Sequence, residues 1–93
     1  MNHDIIKEEF EKLLKPFDPF DIKYIAPYTN DCNKGYTATI IDNENSHQII
    51  RDICIRNNAQ MIDPHTCEFD LDYGYCQIID HGDRYNIFCG SIT

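Results

Sequence analysis

The sequence contains no valine and no tryptophan, only four glycines, and half as many bases as acids. It has no stretch near the ~20 consecutive apolar residues of a membrane-spanning helix. Its opening, MNHDIIKEEFEKLL, places acids where an export signal needs a basic start and an apolar run. Each shortage removes a class of function. Four scattered glycines do not make the glycine-rich loop that cradles a phosphate. Eight Lys and Arg against sixteen Asp and Glu give a formal charge of −8. That sign is wrong for displacing counterions from nucleic acid or for resting on an anionic membrane. No nucleophile-elbow or zinc-protease signature is present, so no enzyme class is indicated. Valine is missing beside fifteen isoleucines and eight asparagines. The two residues do nearly the same work in a core, so this bias points to an AT-rich bacterial or phage genome.

What is present describes one globular unit. The 93 residues make a single domain, 1–93, with 42% apolar and 26% charged residues. A chain of this size buries roughly 60–65% of the surface its unfolded form exposes, enough for one core but no deep cavity. The acidic excess favours basic protein partners and speeds encounter with them at low salt, although it also serves plain solubility. Five loosely spaced cysteines (Cys32, Cys54, Cys67, Cys76 and Cys89), without an export signal, read as free thiols in a reducing cytoplasm.

The first seventeen residues read as an amphipathic helix. Ile5, Ile6, Glu9, Phe10, Leu13, Leu14 and Phe17 form one stripe in which Glu9 is the only polar member. Pro16 and Pro19 end it. Asp21–Tyr28 and Tyr36–Asp42 read as a hairpin around the polar turn Thr29–Gly35. Asn43, Asn45 or Ser46 caps a second helix with Ile49, Ile50, Ile53 and Cys54 facing inward, and Asn57-Asn58 makes a left-handed stop. Three extended runs follow, Cys67–Tyr73, Tyr75–Asp80 and Arg84–Ile92. The expected fold is α+β in the order α-β-β-α-β-β-β, a mainly antiparallel sheet with the helices on one face.

The clearest local pattern is Cys67-Glu68-Phe69-Asp70-Leu71-Asp72-Tyr73, where apolar residues alternate with acids. On a strand this turns Cys67, Phe69, Leu71 and Tyr73 inward and sets Glu68, Asp70 and Asp72 in a solvent row about 6.6–6.8 Å apart. That step is comparable with the spacing of phosphates along a nucleic-acid strand. Asp80 and Asp83, in the next turn, are expected to extend the patch, and Tyr73 and Tyr75 flank it with amphipathic area suited to an interface. The plain alternative is a solvated strand face whose charges discourage edge-to-edge aggregation. Calcium is disfavoured because one strand face does not wrap an ion and no D-x-D-x-D-G loop is present.

His65, Cys67, Cys76, His81 and Cys89 form a second candidate set, for zinc or for thiol chemistry. The spacing His65-x-Cys67 is tighter than usual and Cys76-x₄-His81 is wider, while the strand alternation turns Cys67 into the core. Cys32, in the polar turn near Lys34, reads as the most exposed thiol, but nothing marks a base to serve it. The expectation is therefore a non-catalytic, cofactor-free, cytoplasmic acidic inhibitor or decoy. Glu68, Asp70, Asp72, Asp80, Asp83, Tyr73 and Tyr75 would meet a basic surface of a nucleic-acid-handling or defence protein. A DNA mimic of the phage anti-defence or anti-CRISPR type and a bacterial immunity or antitoxin protein fit equally. The alternative is a small metal-binding or thiol-dependent regulatory module built on the His/Cys set, and an assembly protein docking through its first helix is a third.

Overall fold

A computed structural model describes residues 2–29 and 33–92. Helix α1 (Asn2–Leu14) is followed by a 3-10 turn at Pro19–Asp21 and by strands β1 (Ile22–Thr29) and β2 (Asn33–Ile41). Helix α2 (Glu44–Arg56) then leads to β3 (Gln60–Asp63), β4 (Thr66–Leu71), β5 (Gly74–Asp80) and β6 (Arg84–Ile92). The six strands form one antiparallel sheet in the order β1-β2-β6-β5-β4-β3. The fold is α+β, with one strand more than the sequence pattern predicts. The extra strand is β3, four exposed residues without alternation.

Local chemistry explains the boundaries. Proline has no N–H to continue the helical ladder, so α1 stops at Leu14, just before Pro16. Phe17 still reaches the core from outside the helix, because its N–H turns back to the Leu14 carbonyl at 3.1 Å. Helix α2 opens on a reciprocal capping box: the Asn43 side chain accepts from the Ser46 N–H at 2.8 Å, and Ser46 Oγ accepts from the Asn43 N–H at 2.9 Å. The fully buried Ser46 hydroxyl also donates to the Ile41 carbonyl at 2.6 Å, pinning the helix start to the end of β2. At the other end Asn58 takes φ 52°, the left-handed stop expected from Asn57-Asn58. In β1 the register shifts between Ile22 and Tyr24, so Ile22 and Tyr24 fall on opposite faces although they are two residues apart.

The core has one composition throughout. Ala38, Ile40, Phe69, Cys76, Ile78, Tyr85, Ile87 and Cys89 come from a single alternation of β2, β4, β5 and β6. Ile6, Phe10, Leu14 and Phe17 from the α1 region, with Ile50 and Ile53 from α2, join them in one cluster. Phe10 stacks on Tyr36 with ring centroids 5.8 Å apart. Glu9 enters this stripe as the sequence reading proposed: it is half-buried, and its Oε2 accepts the Asp72 N–H at 3.3 Å.

Candidate functional site on the open face of the sheet

The opposite alternation makes the other face of the sheet. Antiparallel pairing sets its residues in cross-strand rows. One row reads Tyr28, Gly35, Gly90, Tyr75, Asp70; the next reads Ala26, Thr37, Phe88, Gln77, Glu68, Gln60. A third runs Tyr24, Thr39, Asn86, Ile79, Thr66. None of these residues except the two glycines is buried.

Glycine shapes the centre of this surface. A Cβ at Gly90 would lie 2.6 Å from the tip of the Phe88 ring, so the ring leans across the space that glycine leaves. Phe88 then meets Tyr28 edge-on at 5.2 Å and Tyr75 at 5.7 Å between ring centroids. The result is an aromatic trio drawn from β1, β6 and β5. On its β4 side stand two acids. Asp70 is exposed and pairs across the ladder with Tyr75, while Glu68 is half-buried and accepts from Gln77 Nε2 at 2.8 Å. Burial first, then the Glu68 carboxylate, push the Tyr75 phenol above its ordinary value, keeping it neutral.

The structure splits the residues singled out from the sequence. Glu68, Asp70 and Tyr75 share the open face. Strand β4 ends at Leu71, two residues before the predicted Tyr73, so Asp72 and Tyr73 form the exposed tip of the β4–β5 turn. Asp80 and Asp83 do not extend the row. Asp80 closes β5 on the core-facing alternation of Cys76 and Ile78, opposite Tyr85, about 10 Å along the strand from Gln77, the partner of Glu68, and Asp83 lies in the turn beyond it. There Asp80 Oδ1 accepts the Gly82 N–H at 2.8 Å and Asp83 bridges Arg84 at 2.9 Å. Tyr28, Phe88 and Gln77 escaped the sequence reading, because only the register unites them. Their one legible trace is Phe88, an aromatic on the polar alternation of Arg84, Asn86 and Gly90.

The Asp80 end of β5 has its own cluster. Tyr85 Oη lies 2.7 Å from His47 Nδ1, beside a shallow pocket of about 160 Å³ lined also by Met61, His65, Cys67 and Asp80. Burial, then Asp42 and Asp80, push the Tyr85 phenol up to about 12. A phenol held neutral in this way is a structural partner for the imidazole rather than a nucleophile.

The set His65, Cys67, Cys76, His81 and Cys89 does not converge. Cys76 and Cys89 face each other in register and are fully buried, Cys67 Sγ lies 3.1 Å from Cys54 Sγ, and His65 and His81 are exposed. Among the described residues no three His, Cys, Asp or Glu side chains are placed to hold a metal ion. Cys32 lies outside the described residues. Among the described residues, no helix is long and apolar enough to cross a membrane. No protein-family model, curated protein or solved structure matches this chain.

Proposed function

We propose that this chain is a non-catalytic inhibitor or decoy that applies the open face of its sheet to a basic surface of a nucleic-acid-handling or defence protein. The observation that supports this reading is the adjacency of the trio Tyr28, Phe88 and Tyr75 to Glu68 and Asp70 on one side of the sheet. Guanidinium groups stack on aromatic faces and pair with carboxylates in the same plane, so such a surface suits arginine-rich partners. Exposed ion pairs add only about 0–1 kcal/mol each. Affinity would therefore rest on the aromatic anchors, while the acids supply steering and specificity. Asp72 and Tyr73, at the turn beside this face, extend the contact; Asp80 and Asp83 belong to the opposite end and lie outside it. In this reading both helices are occupied on the other side, leaving the sheet to bind. The protein would act in the cytoplasm of a bacterium or a phage-infected cell.

The test is capture from bacterial lysate at low and high salt, with duplex DNA as competitor. Wild type runs beside Glu68→Gln/Asp70→Asn and beside Tyr75→Ser. Retention of a basic nucleic-acid enzyme, released by salt and by DNA and lost in both variants, supports the reading. Equal retention by wild type and variants, or indifference to DNA, overturns it.

A further inference from the structure

We infer that Cys54 and Cys67 form a dithiol modification site, converted to a disulfide by low-molecular-weight disulfides of the glutathione class. Cys54 lies in the last turn of α2 and Cys67 near the start of β4. Their sulfurs are 3.1 Å apart and both residues are only half-buried. A disulfide needs about 2.05 Å between sulfurs, so the bond requires them to close by about 1 Å, within reach of small side-chain rotations. Access is provided by the pocket of about 160 Å³ at the far end of the sheet, whose lining includes Cys67 together with Met61, Pro64 and His65. The buried pair Cys76 and Cys89 has no exposed surface and is closed to the same reagents.

The two thiols are not equivalent. The hydrogen bond from Cys54 lowers the Cys67 thiol to about 7, with help from the Ile78 backbone, whereas the same contact raises Cys54. Cys67 also lines the pocket while Cys54 does not, so Cys67 is the attacking sulfur and Cys54 the resolving one. In the first step the Cys67 thiolate attacks one sulfur of glutathione disulfide. The sulfur–sulfur bond of the reagent breaks and one glutathione thiolate leaves. In the second step Cys54, losing its proton to that thiolate, attacks Cys67 Sγ and expels the second glutathione thiolate. The proton released when Cys67 first ionised completes the second glutathione thiol. The protein sulfurs lose two electrons in total, and one glutathione disulfide becomes two glutathione molecules.

The bond ties the end of α2 to β4 and encloses β3 in the loop between them. It lies next in sequence to Glu68, so oxidation fixes the acidic edge of the open face against the helix.

The experiment incubates reduced wild-type protein with glutathione disulfide, blocks remaining thiols by alkylation, and maps the products by mass spectrometry. The expected result is that Cys54 and Cys67 both become inaccessible to alkylation, with a Cys54–Cys67 cross-linked peptide and a melting temperature higher by roughly 10 °C, whatever happens at Cys32. Cys54→Ser is expected to retain one glutathione on Cys67, and Cys67→Ser to leave Cys54 unmodified. Should either variant fail to fold, the wild-type map and melting curve decide by themselves. Cys54 and Cys67 remaining alkylatable while other thiols react, a cross-link mapping to Cys76–Cys89, or reaction only in denaturant would each overturn the assignment.

Discussion

Ile87 and Phe88 are neighbours in β6, and the pleat sends them to opposite sides of one sheet. Ile87 is fully buried among side chains from both helices and four strands; Phe88 stays partly exposed, leans over Gly90 and meets the rings of Tyr28 and Tyr75. The buried side is mostly aliphatic and aromatic and repeats the same alternation in β2, β4, β5 and β6. The open side is mixed, with aromatic rings at its centre and carboxylates toward β4. Stability rests on one face of the sheet and the proposed recognition on the other, and substitutions separate the two.

The sharpest contrast comes from Ile87→Ala, expected to cost about 3–4 kcal/mol in urea unfolding through the transfer and cavity terms together. Ser46→Ala, also on the buried side, removes half of the capping box and leaves the Ile41 carbonyl without that donor, at about 1–2 kcal/mol in the same assay. Phe88→Ala is expected to cost only about 1 kcal/mol while weakening partner capture, because a half-exposed ring loses less burial. A loss equal to that of Ile87→Ala would mean the open face is in fact part of the core. At high pH the buried phenol of Tyr85 makes its own contribution. Its folded value, about 12, exceeds the ordinary 10.0, so the unfolded chain ionises first. The associated stability is complete below pH 10 and is lost as pH rises toward 12. Melting curves across that window should fall less steeply for Tyr85→Phe than for wild type. The smallest effect belongs to Glu68→Gln/Asp70→Asn, expected within about 0.5 kcal/mol of wild type in unfolding.

Much of the scaffold was legible because its signals are local. The α1 stripe, the Asn43–Ser46 cap and the Asn58 stop each depend on residues a few positions apart. Strand β3 was not legible: Met61 and Ile62 are adjacent apolar residues with no period, and only pairing with β4 makes Gln60–Asp63 extended. The bulge after Ile22 is hidden for a related reason, since no sequence pattern announces the change of face it makes. Of the site, the acids of β4 were legible as an alternation. Their aromatic neighbours were not, because residues 28, 75 and 88 meet through the order of the strands. Asp80 and Asp83 show the converse: the strand period places Asp80 on the face opposite Glu68 and Asp70, and Asp83 in the turn beyond.

The position of β6 in the sheet has a consequence for how the chain is made. It is the last of the six strands to leave the ribosome, yet it lies between β2 and β5 and carries both of their hydrogen-bond ladders. Until residues 84–92 emerge, the β1–β2 hairpin and the β3–β4–β5 meander have no strand to join them. A two-stranded hairpin such as β1–β2 is only marginally stable in water by itself. Until β6 emerges, the nascent chain therefore carries two incomplete half-sheets with open edges, and it closes them in one step that joins strands distant in sequence.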